Sequence, residues 1–329
     1  MSRKDIDISL YKNSARHYRI AITVPTFKRP QSLRNLTDHL EPQIKNLYER
    51  KNNPLTIKLF IAENDLSARE GAAIVAAIGK NFPCEVTCLY ESRKGVSIVR
   101  NTLTEAALDW KADFILFIDD DEWPCEQWIE KMVDTADTFT ADIVSAPVIP
   151  SYEGTPPAWI TQGRFFEDDD YETGALPDIK RTSNLLIRSS WLNDRQVFRH
   201  GNWFSERLGH YGGEDSMLIE TLIKQGAKHV WCHEATVKEN IPKQRQTVAY
   251  LANRAYRFGN IGMLYRSMLR PGMVSGMVRI GKTSYLIARW AILSGRYLGS
   301  NERRKRHFIE LQTVLGRLNA HRGSYHEHY

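Results

Sequence analysis

Cysteine is scarce in this 329-residue sequence: Cys84, Cys88, Cys125 and Cys232 are the four thiols, and none sits in a Cys-x-x-Cys pair. A disulfide framework and a zinc site of the usual spacing are both disfavoured. No apolar run approaches the roughly 18–20 residues that span a bilayer. The stretch from Met1 to Arg19 is polar and charged, unlike a secretory leader. The first apolar segment is not followed by Gly-x-Gly-x-x-Gly, and no glycine-rich loop ends in Gly-Lys-Ser/Thr, which disfavours dinucleotide and P-loop folds. The Gly-x-Ser-x-Gly elbow of serine hydrolases is missing too. These absences predict a cytoplasmic protein, with contact at a membrane surface still open. Acids are scarce in one region only. Residues 241–329 hold 16 Lys and Arg against three acids, Glu302, Glu310 and Glu327, a net of +13. Residues 1–240 hold 29 basic and 36 acidic side chains, a net of −7, so the two parts face different partners.

Hydrophobic residues make up 42% and charged residues 26%, which excludes a disordered polyelectrolyte and fits a chain with a sizeable core. The first 150 residues alternate short apolar runs with amphipathic segments. Ile20–Val24 is β-branched and stops at Pro25, as a strand does. Pro30 opens a helix with Leu33, Leu36 and Leu40 on one face. Strands at Thr56–Ala62 and Glu85–Tyr90 alternate with helices at about 67–80 and Val96–Trp110. Phe114–Ile118 is almost continuously apolar, as a central parallel strand covered on both faces would be. This β–α repetition predicts an α/β fold with a mostly parallel central sheet flanked by helices. Ligands in such folds collect beyond the carboxyl ends of the strands. Residues 150–180, rich in proline, glycine and acids, read as a long, partly mobile connection, with Thr182–Arg188 as a strand and Asp215–Gln225 as a helix beyond it.

Asp119-Asp120-Asp121-Glu122 follows directly on the most apolar strand. Four adjacent carboxylates repel one another, and a divalent cation removes that cost; oxygen ligands suit Mg2+ or Mn2+. In extended backbone Asp119 and Asp121 point to one side. Such cations commonly neutralise a phosphate, which points to a nucleotide or nucleotide-activated substrate. Glu214 and Asp215 follow Gly212-Gly213 at the start of a helix, either as caps of its free N–H groups or as a carboxylate base aimed at a pocket. His233, after a strand at Lys228–Cys232, is either a nitrogen ligand of the same metal or a structural histidine, and Glu239 has similar status. Arg93, Lys94 and Arg100 around Gly95, together with Arg29, could hold phosphate oxygens.

Taken together, Val24-Pro25-Thr26-Phe27-Lys28-Arg29, Glu63-Asn64-Asp65, Lys94-Gly95-Val96-Ser97-Ile98-Val99-Arg100-Asn101, Phe117-Ile118-Asp119-Asp120-Asp121-Glu122 and Gly213-Glu214-Asp215 resemble, in order and spacing, an inverting glycosyltransferase of family 2 with the GT-A fold. The resemblance runs from Arg19 to about Asn260 and is similar to enzymes of bacterial exopolysaccharide and other surface-polysaccharide assembly. It implies a catalytic domain over residues 1–240, with a nucleotide-binding half at about 19–146 and an acceptor half at about 147–240. It implies that Pro25 and Thr26 lie under the nucleotide, that Asn64 or Asp65 meets the base with the register of Glu63-Asn64-Asp65 open, and that Arg29, Lys94 and Arg100 serve the base or diphosphate region. Asp119 and Asp121 would form the family's Asp-x-Asp motif with Asp120 between them, His233 would complete the metal site, and Asp215, preceded by Glu214, would be the catalytic base. The implied cofactors are Mn2+ or Mg2+ and a nucleotide-sugar donor, a UDP-sugar first, with GDP- or TDP-sugars as alternatives. The acceptor would be a glycan or lipid-linked saccharide. Thr182-Ser183-Asn184 resembles an element near the sugar, and Trp159, Trp191 and Trp203 are candidate stacking platforms.

Residues 241–329 form a basic, amphipathic helical extension. Tyr285, Leu286, Ile287, Trp290, Ile292, Leu293, Tyr297 and Leu298 lead into Arg303-Arg304-Lys305-Arg306. This pattern fits the surface of an anionic membrane, placing the enzyme at the inner face of the cell membrane. A helical cap on the sheet and an oligomer surface are the alternatives; nucleic acid is disfavoured because the acidic half would repel a phosphate backbone. Two other functions compete: sugar-1-phosphate nucleotidyl transfer, which wants a glycine-rich loop where Pro25–Pro30 stands, and a non-catalytic membrane adaptor or carbohydrate-binding protein, which needs neither carboxylate site.

Overall fold

A computed structural model describes residues 17–50, 54–198, 201–209, 211–294 and 301–325. The first 16 residues, and Tyr297 and Leu298 of the aromatic stretch, lie outside the described residues.

The amino-terminal half alternates as its sequence pattern predicts. The elements are β1 (Tyr18–Thr26), α1 (Pro30–Glu49), β2 (Leu55–Glu63), α2 (Glu70–Ile78), β3 (Glu85–Tyr90), α3 (Val96–Asp109) and β4 (Phe114–Phe117). β5 (Glu122–Pro124), α4 (Trp128–Thr138), β6 (Ile143–Ser145), β7 (Val148–Tyr152), α5 (Ala158–Gly163), β8 (Leu185–Arg188), α6 (Glu206–Gly209), α7 (Glu214–Lys224), β9 (His229–Trp231) and β10 (Val237–Ile241) follow. Seven strands form one sheet in the order β3-β2-β1-β4-β8-β6-β9. β1, β2, β3 and β4 are mutually parallel, and β8 runs antiparallel to both β4 and β6. The sheet is therefore mixed, its parallel half carrying the β–α repeats.

Alternation along β1 feeds both layers. Ile20, Ile22 and Val24 pack with Leu33, Leu36 and Leu40 of α1 and Trp128 and Met132 of α4. Ala21 faces the other way, toward Val99 and Leu103 of α3 and Leu218 and Leu222 of α7. Burial on both faces explains why these strands read as continuous apolar runs.

A second, three-stranded sheet, β5-β10-β7, stands beside the carboxyl end of β4. β5 starts one residue after Asp121 and pairs antiparallel with β10, Glu122 facing Glu239. The connection expected to be mobile carries β7 and α5. Its acidic run is also tied in: Asp168 pairs with Arg181 and accepts from the Val148 amide at 2.9 Å.

The basic extension forms α8 (Val248–Leu269), α9 (Met273–Ser294) and α10 (Asn301–His321). α8 packs on the sheet-bearing part of the chain: Leu251 and Ala252 meet Trp159 and Ile160, and Leu264 and Tyr265 meet Leu208 and Met217. α8 and α10 touch backbone to backbone. A Cβ at Gly259 would lie 2.0 Å from the Thr313 carbonyl oxygen, and one at Gly316 would lie 2.0 Å from that of Tyr256.

Candidate active site

The end of β4 turns the chain from core into a crowd of charge. Thr26, ending β1, donates through Oγ1 to Asp120 Oδ2 at 2.9 Å. Arg29 donates to Asp120 Oδ1 at 3.0 Å and to Asp121 Oδ2 at 2.8 Å. Arg245, just past β10, lies 3.6 Å from the same Asp121 oxygen and 2.8 Å from Glu239. Glu122 folds back so that its Oε2 accepts from the Asp119 amide at 3.0 Å. Burial pushes the Asp120 carboxyl up to about 6, against the pull of Arg29. Burial likewise raises Asp121, and raises Glu122 and Glu239 with added repulsion from neighbouring carboxylates. Carboxylates so disfavoured as anions are sites where a cation is welcome.

A second arm reaches this cluster through one guanidinium. Arg100, buried on α3, donates to Asp119 Oδ1 at 3.0 Å and to Glu214 Oε1 at 2.9 Å. Burial opposes its charge, but Asp119, Glu214 and Asp215 together outweigh that and raise its pKa. The other Glu214 oxygen, Oε2, is buried without a hydrogen-bond partner. Glu214 and Asp215 begin α7, whose N-cap is Gly213 at φ 86°, a left-handed conformation open to glycine. A Cβ there would also fall 2.8 Å from Ile261 of α8, so the extension packs against the turn that sets Asp215. Burial holds Glu214 and Asp215 above the usual carboxylate range, with repulsion from Asp215 and Asp119 added at Glu214 and from Asp119 at Asp215. Asp215 Oδ1 accepts from the Ser216 amide at 2.7 Å, and its side chain stays partly exposed.

At the β2 end the three candidates separate. Glu63 is buried and accepts from the amides of Asp65 at 2.8 Å and Gly71 at 2.6 Å. Asn64 donates to the carbonyls of Glu91 and Arg93 at 2.8 and 2.9 Å, tying β2 to the loop after β3. Asp65 accepts through Oδ1 from the Ser67 hydroxyl at 2.6 Å, which lowers its pKa, while Oδ2 is buried with no partner. Pro25 is half-buried in β1, and Lys94 is exposed in the loop before α3.

His233 is not brought to Asp119 and Asp121. It follows β9, three strands from β4, roughly 14 Å at ordinary strand spacing. There its Nδ1 faces Asp170 at 3.3 Å. Among the described residues no three His, Cys, Asp or Glu side chains form a metal-holding group. The donor set that remains, Asp119 and Asp121 beside an open strand end, suits a hard cation that takes one or two carboxylates and completes its shell with substrate phosphates and water. Asn184 is structural, since it accepts from Trp128 Nε1 at 2.7 Å and donates to the carbonyls of Pro147 and Ala235, each at 2.8 Å. Trp203 is buried and donates to the Leu192 carbonyl, Trp159 is buried beneath Lys305, and Trp191 packs against the core, so none presents an open sugar platform. Arg245 carries no site signal in the sequence, where it reads as part of the basic tail. Its position three residues after Pro242, at a strand end, is the one cue.

Comparison with known proteins fits this geometry. The sequence model of the family described as Glycosyl transferase family 2 matches residues 21–201. The succinoglycan biosynthesis protein ExoM of Rhizobium meliloti (strain 1021) is 30% identical over 247 residues, 73% of this chain and 72% of that protein. The mannosyltransferase PcManGT of Pyrobaculum calidifontis, solved with GDP-Man and Mn2+, aligns over 92% of this chain and 87% of its own, with a TM-score of 0.58 at 15% identity. S. aureus TarS 1-349, solved with UDP, aligns over 94% and 93% of the two chains, with a TM-score of 0.51 at 12% identity. At these identities the two structures speak for the fold alone.

Proposed function

This chain belongs to glycosyl transferase family 2 and is a glycosyltransferase, and from that premise we propose that it moves a sugar from a nucleoside diphosphate to an acceptor hydroxyl with inversion, assisted by a divalent cation. The observation that carries this reading is the Arg100 bridge, which joins Asp119 at the end of β4 to Glu214 beside Asp215 at the start of α7. One carboxylate arm thus serves the diphosphate and the other serves the acceptor.

Asp119 and Asp121 would hold Mn2+ or Mg2+, whose chemistry when bound is to neutralise the departing diphosphate. Arg29 and Arg245, now paired with Asp120, Asp121 and Glu239, stand ready to exchange those partners for diphosphate oxygens. Thr26 fixes Asp120 beneath the nucleotide. Asp65, with its unpartnered Oδ2, is the residue of Glu63-Asn64-Asp65 best supported as the acceptor for a base edge. Asp215 takes the proton of the acceptor hydroxyl while that oxygen bonds to the anomeric carbon and the carbon–diphosphate bond breaks. Its raised pKa matches a base poised to receive that proton. Glu214, engaged by Arg100, positions rather than reacts. Glycosyl transfer sets aside the nucleotidyl-transfer and adaptor alternatives.

UDP-sugars are the first donors to test, then GDP- and TDP-sugars. A glycan or lipid-linked saccharide is the acceptor class, reached from the inner face of a membrane through the basic extension. No helix among the described residues is long and apolar enough to cross a membrane. The test is Asp215→Asn. Release of nucleoside diphosphate from the donor should fall by about 10²–10⁴, with nucleotide affinity unchanged. Undiminished turnover would remove Asp215 as the base.

A further inference from the structure

α9 is amphipathic the wrong way round for a helix packed on a water-soluble protein. Its buried residue is Thr283, whose hydroxyl meets His321 at 3.1 Å and Arg317 at 3.3 Å. Trp290, two turns on, stacks on His307 at 4.6 Å, and Ser294 lies 2.9 Å from the same imidazole. The seam that holds α9 to α10 is thus polar and aromatic. Val274, Val278, Tyr285 and Ile292 fall on the opposite side, in steps of four, then twice seven, that keep one helical line. Val274 is 71% exposed, Tyr285 65% and Ile292 78%.

A face of this size turned to water marks an interaction surface. Its chemistry selects the partner. Met273–Ser294 contains no acid, and Lys282 and Arg289 border the apolar line. Arg304 and Arg306 add exposed cations at the start of α10. Like surfaces on two copies of this chain would bring those cations together, whereas anionic lipid headgroups would neutralise them. We propose that α9 lies in the plane of an anionic lipid bilayer with Val274, Val278, Tyr285 and Ile292 buried among the acyl chains, while α8 and α10 form the rigid mount that holds it outboard of the catalytic part. At 22 residues α9 is about 33 Å long, which suits an in-plane helix. The proposal rests on the peripheral location read above, and names the element, the face and the lipid charge.

The test is co-sedimentation of the whole chain with vesicles, either an equal mixture of phosphatidylglycerol and phosphatidylcholine or phosphatidylcholine alone. Wild type should bind the anionic vesicles and lose them as salt rises. Val278→Glu/Ile292→Glu should lower binding by at least about tenfold, and Lys282→Ala/Arg289→Ala should weaken it on anionic vesicles specifically. Leu176→Glu, at an exposed apolar residue of the catalytic part, should change nothing. Nucleotide calorimetry on each variant should match wild type, which separates lost lipid binding from lost fold. Wild type that ignores both vesicles overturns the peripheral location together with the α9 assignment. Wild type that binds while Val278→Glu/Ile292→Glu binds equally well overturns α9 alone. A solution dimer abolished by the same double variant, without vesicle binding, overturns the proposal in favour of a second copy of the chain.

Discussion

Arg100→Met tests how the two arms of the site are held together. The guanidinium is buried and satisfies Asp119 at 3.0 Å and Glu214 at 2.9 Å. Methionine keeps much of the volume and removes the charge, leaving Glu214 buried without a cation. Breaking a buried pair in this way costs about 3–5 kcal/mol. The pH route gives a second figure. In the wild type burial already holds Glu214 at about 7, so if the variant's Glu214 escapes by taking a proton, the cost beyond wild type is about 1 kcal/mol at about pH 8 and close to nothing at about pH 5.5, where it is protonated with or without Arg100. The variant's folded state then binds more protons than its unfolded state, so its stability falls as pH rises. Urea unfolding at both pH values should show a deficit at the higher pH that shrinks by about 1 kcal/mol at the lower. Adding Glu214→Gln should recover much of the loss, because the stranded charge is gone. A deficit below about 1 kcal/mol at both pH values would refute the view that Arg100 compensates buried charge.

Asp121→Ala should weaken Mn2+-supported nucleotide binding while leaving metal-free binding near wild type, and equal Mn2+ enhancement would contradict its assignment. Arg245→Ala should raise the donor KM by about tenfold, whereas Lys282→Ala should not, since Arg245 alone of the two stands beside Asp121. In metal-free protein, Asp120 rises from 3.8 to about 6 on folding. Its contribution, up to about 3 kcal/mol, is full below about pH 4 and lost as pH rises through about 6, and thermal unfolding across that window should follow the decline. Gly259→Ala would force a Cβ to 2.0 Å from the Thr313 carbonyl oxygen and should destabilise by about 1–3 kcal/mol or more in urea unfolding.

β1 to β4 are legible because both faces of each are covered, which leaves apolar runs that stand out between amphipathic helices. β8 reads as a strand, but nothing local says that it runs against β4 and β6. β5, β7 and β10 are short, and their pairing joins residues far apart in the chain, Glu122 with Glu239 among them. The Asp119–Glu122 run is legible for a physical reason: like charges after a core strand need a compensating partner. Its actual partners, Arg29 and Arg245, come from sequence separations no local pattern spans. His233 follows a strand as a ligand would, but sheet order sets that strand at the far edge. The basic, aromatic character of the extension is plain in sequence. That α9 turns its apolar line outward becomes visible only once Thr283 and Trp290 are seen against α10.

The proposed chemistry requires this site to bind a nucleoside diphosphate together with a divalent cation. Titration calorimetry of the full chain with UDP, GDP, TDP and CDP, each with and without Mn2+, tests it most directly. One nucleotide should bind tightly only when Mn2+ is present, and Asp121→Ala should lose that enhancement. Folded protein that binds none of the four in a metal-dependent way would contradict it.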